Sequence, residues 1–94
     1  MEVGDFAIFR GLPVIVHGIK GDDAEIRCCV EMLEDDDGFN DLLSECQSVV
    51  ALKHLELLTE SSAQELKERY TDRIKRAKAI IRGIDDCLRD MHER

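Results

Sequence analysis

The sequence is poor in the residues that most specific chemistries need. It has no tryptophan, one tyrosine, three phenylalanines and one proline in 94 residues. Without aromatic side chains interleaved among its basic ones it lacks the stacking platform of a single-strand nucleic-acid binder. No apolar run approaches the roughly 18 residues of a membrane span. The opening MEVGDFAIF carries two acids and no early base, unlike a secretory signal. The expectation is a cytoplasmic protein with no membrane association.

Catalytic and metal-binding patterns are missing as well. The glycines form no phosphate-binding fingerprint, and no serine or cysteine stands in a nucleophile motif. His17, His54 and His92 fall on different expected elements. Four cysteines (Cys28, Cys29, Cys46, Cys87) fit a reducing compartment, but their spacing matches no CxxC-type zinc motif. They read as ordinary small buried or half-buried thiols, with Cys28 and Cys29 pointing to opposite faces of a strand. The acid run Glu34 to Asp37 lacks the spaced ligands and the bidentate glutamate of a calcium loop. No metal, no cofactor and no enzymatic activity are expected.

What the chain does have is charge, unevenly placed. Up to Thr59 there are thirteen acids against four bases; from Glu60 onward there are eight against nine. The whole negative excess, a net −8, therefore lies in the first part. Such a body is repelled by phosphates and attracted to basic protein surfaces.

Punctuation and alternation organise that first part. DFAIFRG (5–11) reads as a strand ending on glycine, and LPVIVHGIK as a second, with Val14 and Val16 on one face and Ile15 and His17 on the other. KGDD supplies a turn. AEIRCCVEML (24–33) continues the alternation as a third strand, and EDDDGF reads as a solvated hairpin tip. Residues 39–48 fit either a short helix or a loop. SVVALKHLELLT satisfies neither a helical nor a strand period cleanly, so a strand to about Leu55 and a turn over 57–61 are expected. Ser62 with Glu65 then forms a capping box.

The order VGDFAIF, RGLPVIVHGI, AEIRCCVEM and SVVALKHLELL resembles small barrels of the Src homology 3-like type, KOW- and Tudor-like modules included. Gly4-Asp5 before the first strand, Gly11 through Ile19, and the closing Leu52 to Leu57 carry the likeness, over residues 3–58. The resemblance implies an α+β chain: a small antiparallel β-barrel over 1–60, then a helical segment over 61–94. Such barrels bind peptides or nucleic acids. The aromatic groove of the peptide-binding kind has only Phe6, Phe9 and Phe39 to draw on here.

From Ser62 to His92 one long amphipathic helix is expected, with Gly83 as its weak point and the site of any kink. Leu66, Tyr70, Ile74, Ala77, Ile81, Ile84, Leu88 and Met91 recur at steps of four or three and make a heptad-like stripe. Roughly 30 helical residues would span about 45 Å, more than a small barrel can cover. The stripe must fold back, pair with a second copy, or dock on another protein, and pairing as a homodimer through this helix is the expected outcome. Lys75, Lys78 and Arg82 share a face away from it.

The leading expectation is a non-enzymatic protein-interaction module that presents Asp22, Asp23, Glu34, Asp35, Asp36 and Asp37 to a basic partner surface. In size, charge polarity and lack of catalytic motifs the chain is similar to small inhibitor and accessory proteins of bacteriophages and mobile elements, anti-CRISPR proteins included. The alternative is a nucleic-acid-associated regulator that contacts phosphates through Lys75, Lys78 and Arg82.

Overall fold

The computed structural model describes residues 1–34, 36–70 and 74–93, and only the backbone of Ile74 and Lys75. The elements are β1 (Phe6–Phe9), β2 (Leu12–Lys20), β3 (Asp23–Cys28), α1 (Asp37–Glu45), β4 (Val49–Ala51), a 3-10 turn (Leu52–His54), β5 (Glu56–Leu57), α2 (Glu60–Glu68) and α3 (Ile74–Glu93). The chain is α+β, as expected. The barrel expectation needs correction: the five strands form an open antiparallel sheet in the order β4-β3-β2-β1-β5, with β4 and β5 as its two edges. Among the described residues no helix is long and apolar enough to cross a membrane.

Two-residue turns build the centre of the sheet. Phe9 pairs with Leu12, leaving Arg10 and Gly11 as the loop. Both have positive φ, 51° and 76°, as a primed hairpin turn demands. Lys20 pairs with Asp23 around Gly21-Asp22. Along β2, Val14 and Val16 are buried while Ile15 is half-exposed and His17 exposed, the alternation read from sequence. A register shift between Val16 and Gly18 bends the strand.

Four sequence expectations move. The third strand stops at Cys28, not at Leu33, because its partner runs out: Cys29 N–H makes a last bond to Pro13 O, 3.0 Å. Asp36 and Asp37 belong to no hairpin tip but are the N-cap and first residue of α1, and residues 39–48 are mainly helical. The mixed pattern of 48–58 belongs to a strand, a 3-10 turn and a second strand. The capping box is Thr59 with Ser62, three residues earlier than expected.

The long helix is two helices. α2 ends at Glu68 with Arg69 as its C-cap, and α3 starts at Ile74; the break is here and not at Gly83, and residues 71–73 lie outside the described residues. α2 and α3 pack against each other, joined by Lys67–Asp85 (2.7 Å) near one end and by His92 and Glu60 at the other. The buried residues form one cluster drawn from the strands and all three helices, so the helical segment shares the core of the sheet. Among the described residues of α3 the buried apolar side chains are Ala77, Ile80, Ile84 and Cys87, with Gly83 buried beside them, a face turned about one residue from the expected stripe.

Gly83 allows this packing. A Cβ there would lie 2.7 Å from the carbonyl oxygen of Cys29 and 3.2 Å from a methyl of Val30. Alanine normally favours a helix over glycine by about 1 kcal/mol. Here the contact is with backbone, which cannot swing aside, and overpacking of that kind costs typically 1–3 kcal/mol. Gly83→Ala is therefore expected to lower the urea midpoint despite its better helix propensity; an unchanged or raised midpoint would show that α3 does not rest on Cys29.

Candidate functional site

The six acids expected to form one surface are divided. Asp22 and Asp23 are exposed at the β2–β3 turn, where Asp22 O accepts from Leu52 N–H at 2.8 Å. Glu34 and Asp37 are exposed at the start of α1; Asp35 lies outside the described residues. Asp36 is committed internally. Its carboxylate caps α1 by accepting from Phe39 N–H at 3.2 Å, and it accepts two bonds from Arg76 at 2.5 and 2.6 Å. The guanidinium in turn lies over the Phe39 ring, 5.3 Å from its centre. Phe39 and Leu43, one helical turn apart, are buried beneath.

The expected helix stripe lies largely inside the chain. Leu66, Ala77 and Ile84 are buried, and Tyr70, Ile81, Leu88 and Met91 are half-buried; the Ile74 side chain lies outside the described residues. Tyr70 donates its hydroxyl proton to Gly11 O and so ties the end of α2 to the β1–β2 turn; burial pushes its phenol pKa up. The three buried residues are used within the chain, and the four half-buried ones keep part of their surface.

Lys78 and Arg82 are exposed and border a groove of about 290 Å³ between α3 and the segment after β3. Met32, Leu33, Ala79 and Gly83 give it an apolar floor, and Met32 is 58% exposed. Glu31 and Asp86 share the rim, with Glu31 4.0 Å from Arg82. The Lys75 side chain lies outside the described residues. A rim of both signs suits a protein surface better than a phosphate chain.

No family model, curated protein or solved structure matches this chain. What the site can do therefore has to come from its own groups.

The thiols are arranged in pairs that periodicity could not reveal. The β3–β4 register pairs Asp23 with Ala51, Ala24 with Val50 and Glu25 with Val49, and Ile26 N–H bonds Ser48 O at 2.9 Å. The ladder ends there: Cys46 is the C-cap of α1, with its N–H turned back to Leu43 O and Ser44 O, and its thiol lies beside that of Cys28. Cys29 turns the other way. It meets Cys87, one helical turn beyond the Gly83 contact. All four cysteines are free thiols. The Cys46 thiol and nearby backbone amides bring the Cys28 pKa down to about 7 against the opposing effect of burial, whereas Cys29 and Cys46 are pushed up by their partner sulfurs and by burial.

The ion pair from Arg76, with the Phe39 amide, holds the Asp36 carboxyl below its ordinary value of 3.8. A depressed carboxyl pKa stabilises the fold above the unfolded-state value, and the gain is lost as pH falls through the folded-state value. Asp36→Asn keeps a good helix cap but removes the charge. The variant is expected to be less stable than the parent at neutral pH, with the difference shrinking below about pH 4. Denaturant midpoints across that range check it; a constant difference would separate the pair from the acid response. Sedimentation of the full chain is expected to give the mass of one copy, and a stable dimer would show that the half-buried edge of α3 is still used between copies.

Proposed function

We propose that the protein is a non-enzymatic interaction module that offers carboxylates to a basic surface of a protein partner. The observation that carries this reading is where the unmatched charge sits. Arg10, Arg76, Lys67, Arg82 and Arg89 lie beside carboxylates of the same chain. Asp22, Asp23, Glu34 and Asp37 are exposed, and none of them figures in those pairs. Folding thus occupies much of the positive charge internally and leaves the negative excess facing outward. A field of that sign speeds encounter with a cationic surface and disfavours encounter with nucleic acid.

The fold reading goes with it. The long, bent β2 serves both β1 and β3, and a 3-10 turn links the last two strands, which occupy opposite edges. These features support an Src homology 3-like roll carrying an added helical layer. Such a roll fixes no function by itself. A role like that of the small phage and mobile-element inhibitors fits the charge: carboxylates covering the basic site of a nucleic-acid-handling complex.

The competing phosphate-binding reading rests on Lys78 and Arg82, and the neighbouring Glu31 and Asp86 weaken it. One experiment separates the two. A tagged copy is recovered from host lysate with and without nuclease, beside a variant with Asp22, Asp23, Glu34 and Asp37 changed to their amides. A stoichiometric protein partner that survives nuclease and falls by about tenfold or more in the variant, as loss of about 1.4 kcal/mol would give, is the expected result. Nucleic acid in the eluate, sensitive to reversal of Lys78 and Arg82 instead, would replace this reading with its rival.

A further inference from the structure

We propose that β4 is a strand-addition site, where an extended basic segment of a protein partner joins the sheet as a sixth strand. The case starts from the main-chain groups that the edge leaves over. β4 ends the sheet on one side, and among the described residues no strand lies beyond it. Its inner bonds are made at alternate positions: Ile26 N–H donates to Ser48 O at 2.9 Å, Val50 stands opposite Ala24, and Leu52 N–H donates to Asp22 O at 2.8 Å. In an antiparallel ladder the residues between turn their main-chain groups the other way. Val49 N–H, Val49 C=O and Ala51 N–H therefore face out of the sheet, a donor, an acceptor and a donor at strand spacing. The Ala51 carbonyl opens the 3-10 turn.

That pattern of groups is matched by another extended polypeptide and by no phosphate chain or lipid. One residue of the added strand exchanges both bonds with Val49, and the carbonyl two residues before it accepts from Ala51. The edge also lacks most of the devices that close an edge to pairing. Short as β4 is, Gln47 to Leu52 carry no charge and no proline, and the Val49 side chain is 60% exposed. The opposite edge differs. β5 is two residues long and carries Glu56, and Leu57 O accepts from the Ser62 hydroxyl at 3.4 Å.

The charge of the partner follows from what flanks the edge. Glu25 stands opposite Val49 and Asp23 opposite Ala51, both on one face of the sheet. A lysine or arginine paired beside Val49 lays its stem over that side chain and points its head towards Glu25; one two residues away crosses Ala51 towards Asp23. Exposed Asp22 adjoins the second position. Beside the start of β4 a hollow of about 210 Å³, lined by His17, Glu25, Ile26, Gln47, Ser48 and Val49, receives a further side chain of the added strand. His17, 3.7 Å from Glu25, and Lys20, opposite Asp23, share these carboxylates. Main-chain bonds therefore carry the affinity, and charge chooses the partner. A second copy would bring another −8 to a chain of net −8. The sign of the partner's charge rests on the interaction reading above; the edge rests on the ladder alone.

The probe is a short acetylated peptide in which valine alternates with lysine, added to the isotope-labelled full chain while amide exchange is followed by NMR. Exchange at Val49 and Ala51 is expected to slow several-fold, with Val50, already paired to β3, unchanged. Ala51→Pro removes the outward donor and no bond to β3, and the φ of −67° and ψ of 134° at Ala51 suit proline. The variant is expected to bind the peptide about tenfold more weakly or worse. N-methylation of the lysine amides, which face β4, gives the same loss whether or not the variant folds. Unslowed exchange at Val49 and Ala51, or undiminished binding of the methylated peptide, would overturn the strand site even where the carboxylate variant described above loses its protein partner. Slowing that grows with protein concentration in the absence of peptide would overturn it in favour of a second copy. Equal protection by a peptide of alternating valine and glutamate would overturn the basic partner, and the interaction reading with it, while the edge stood.

Discussion

The contact of α3 with the end of β3 at Gly83 governs the rest of this molecule. A sheet of five short strands with few aromatic residues has little apolar surface of its own, and small chains are marginal for that reason. Resting a helix backbone directly on the Cys29 carbonyl brings Ile80, Ile84 and Cys87 down on the core and buries Val30. Any side chain at position 83 would hold the helix off, and the groove beside Met32 would change shape with it.

Polar ties then set the remaining helices around that contact. Asp36 serves α1 and α3 at once, as cap and as ion-pair partner, and Arg76 completes the arrangement over Phe39. Tyr70 holds α2 to the first hairpin. These internal uses of charge have a functional side. Each carboxylate or guanidinium engaged within the fold is withdrawn from the surface, so the field a partner meets is set by what folding leaves over.

Much of the sheet was legible because turn residues and alternation act locally: Gly21-Asp22 and the Val14/Val16 face could be read directly, whereas Arg10 and Gly11 read as the end of a strand and form a turn. What was not legible depends on partners distant in sequence. The alternation of 24–33 gives no sign that the neighbouring strand β2 extends no further than Leu12 on that side. The apolar period runs from Leu66 and Tyr70 into α3 with no change of phase strong enough to mark the break after Arg69. Asp36 looks like any surface acid until Arg76 is brought beside it. The nearness of the Cys28 and Cys46 thiols, on either side of α1, appears in no single-segment pattern.

The segment from Val49 to Leu57 supplies both edges of the sheet, β4 on one side and β5 on the other, through a single turn at Leu52–His54. During synthesis from the amino terminus, the β1–β2–β3 meander therefore emerges with both outer edges unpaired; the β3 edge waits for residue 51 and the β1 edge for residue 57. Unpaired strand edges invite pairing with other chains. The acids in and around this meander give nascent copies a like charge, which opposes such pairing. The negative excess of the first 59 residues is thus suited to protecting the half-made sheet as well as to meeting a partner once it is complete.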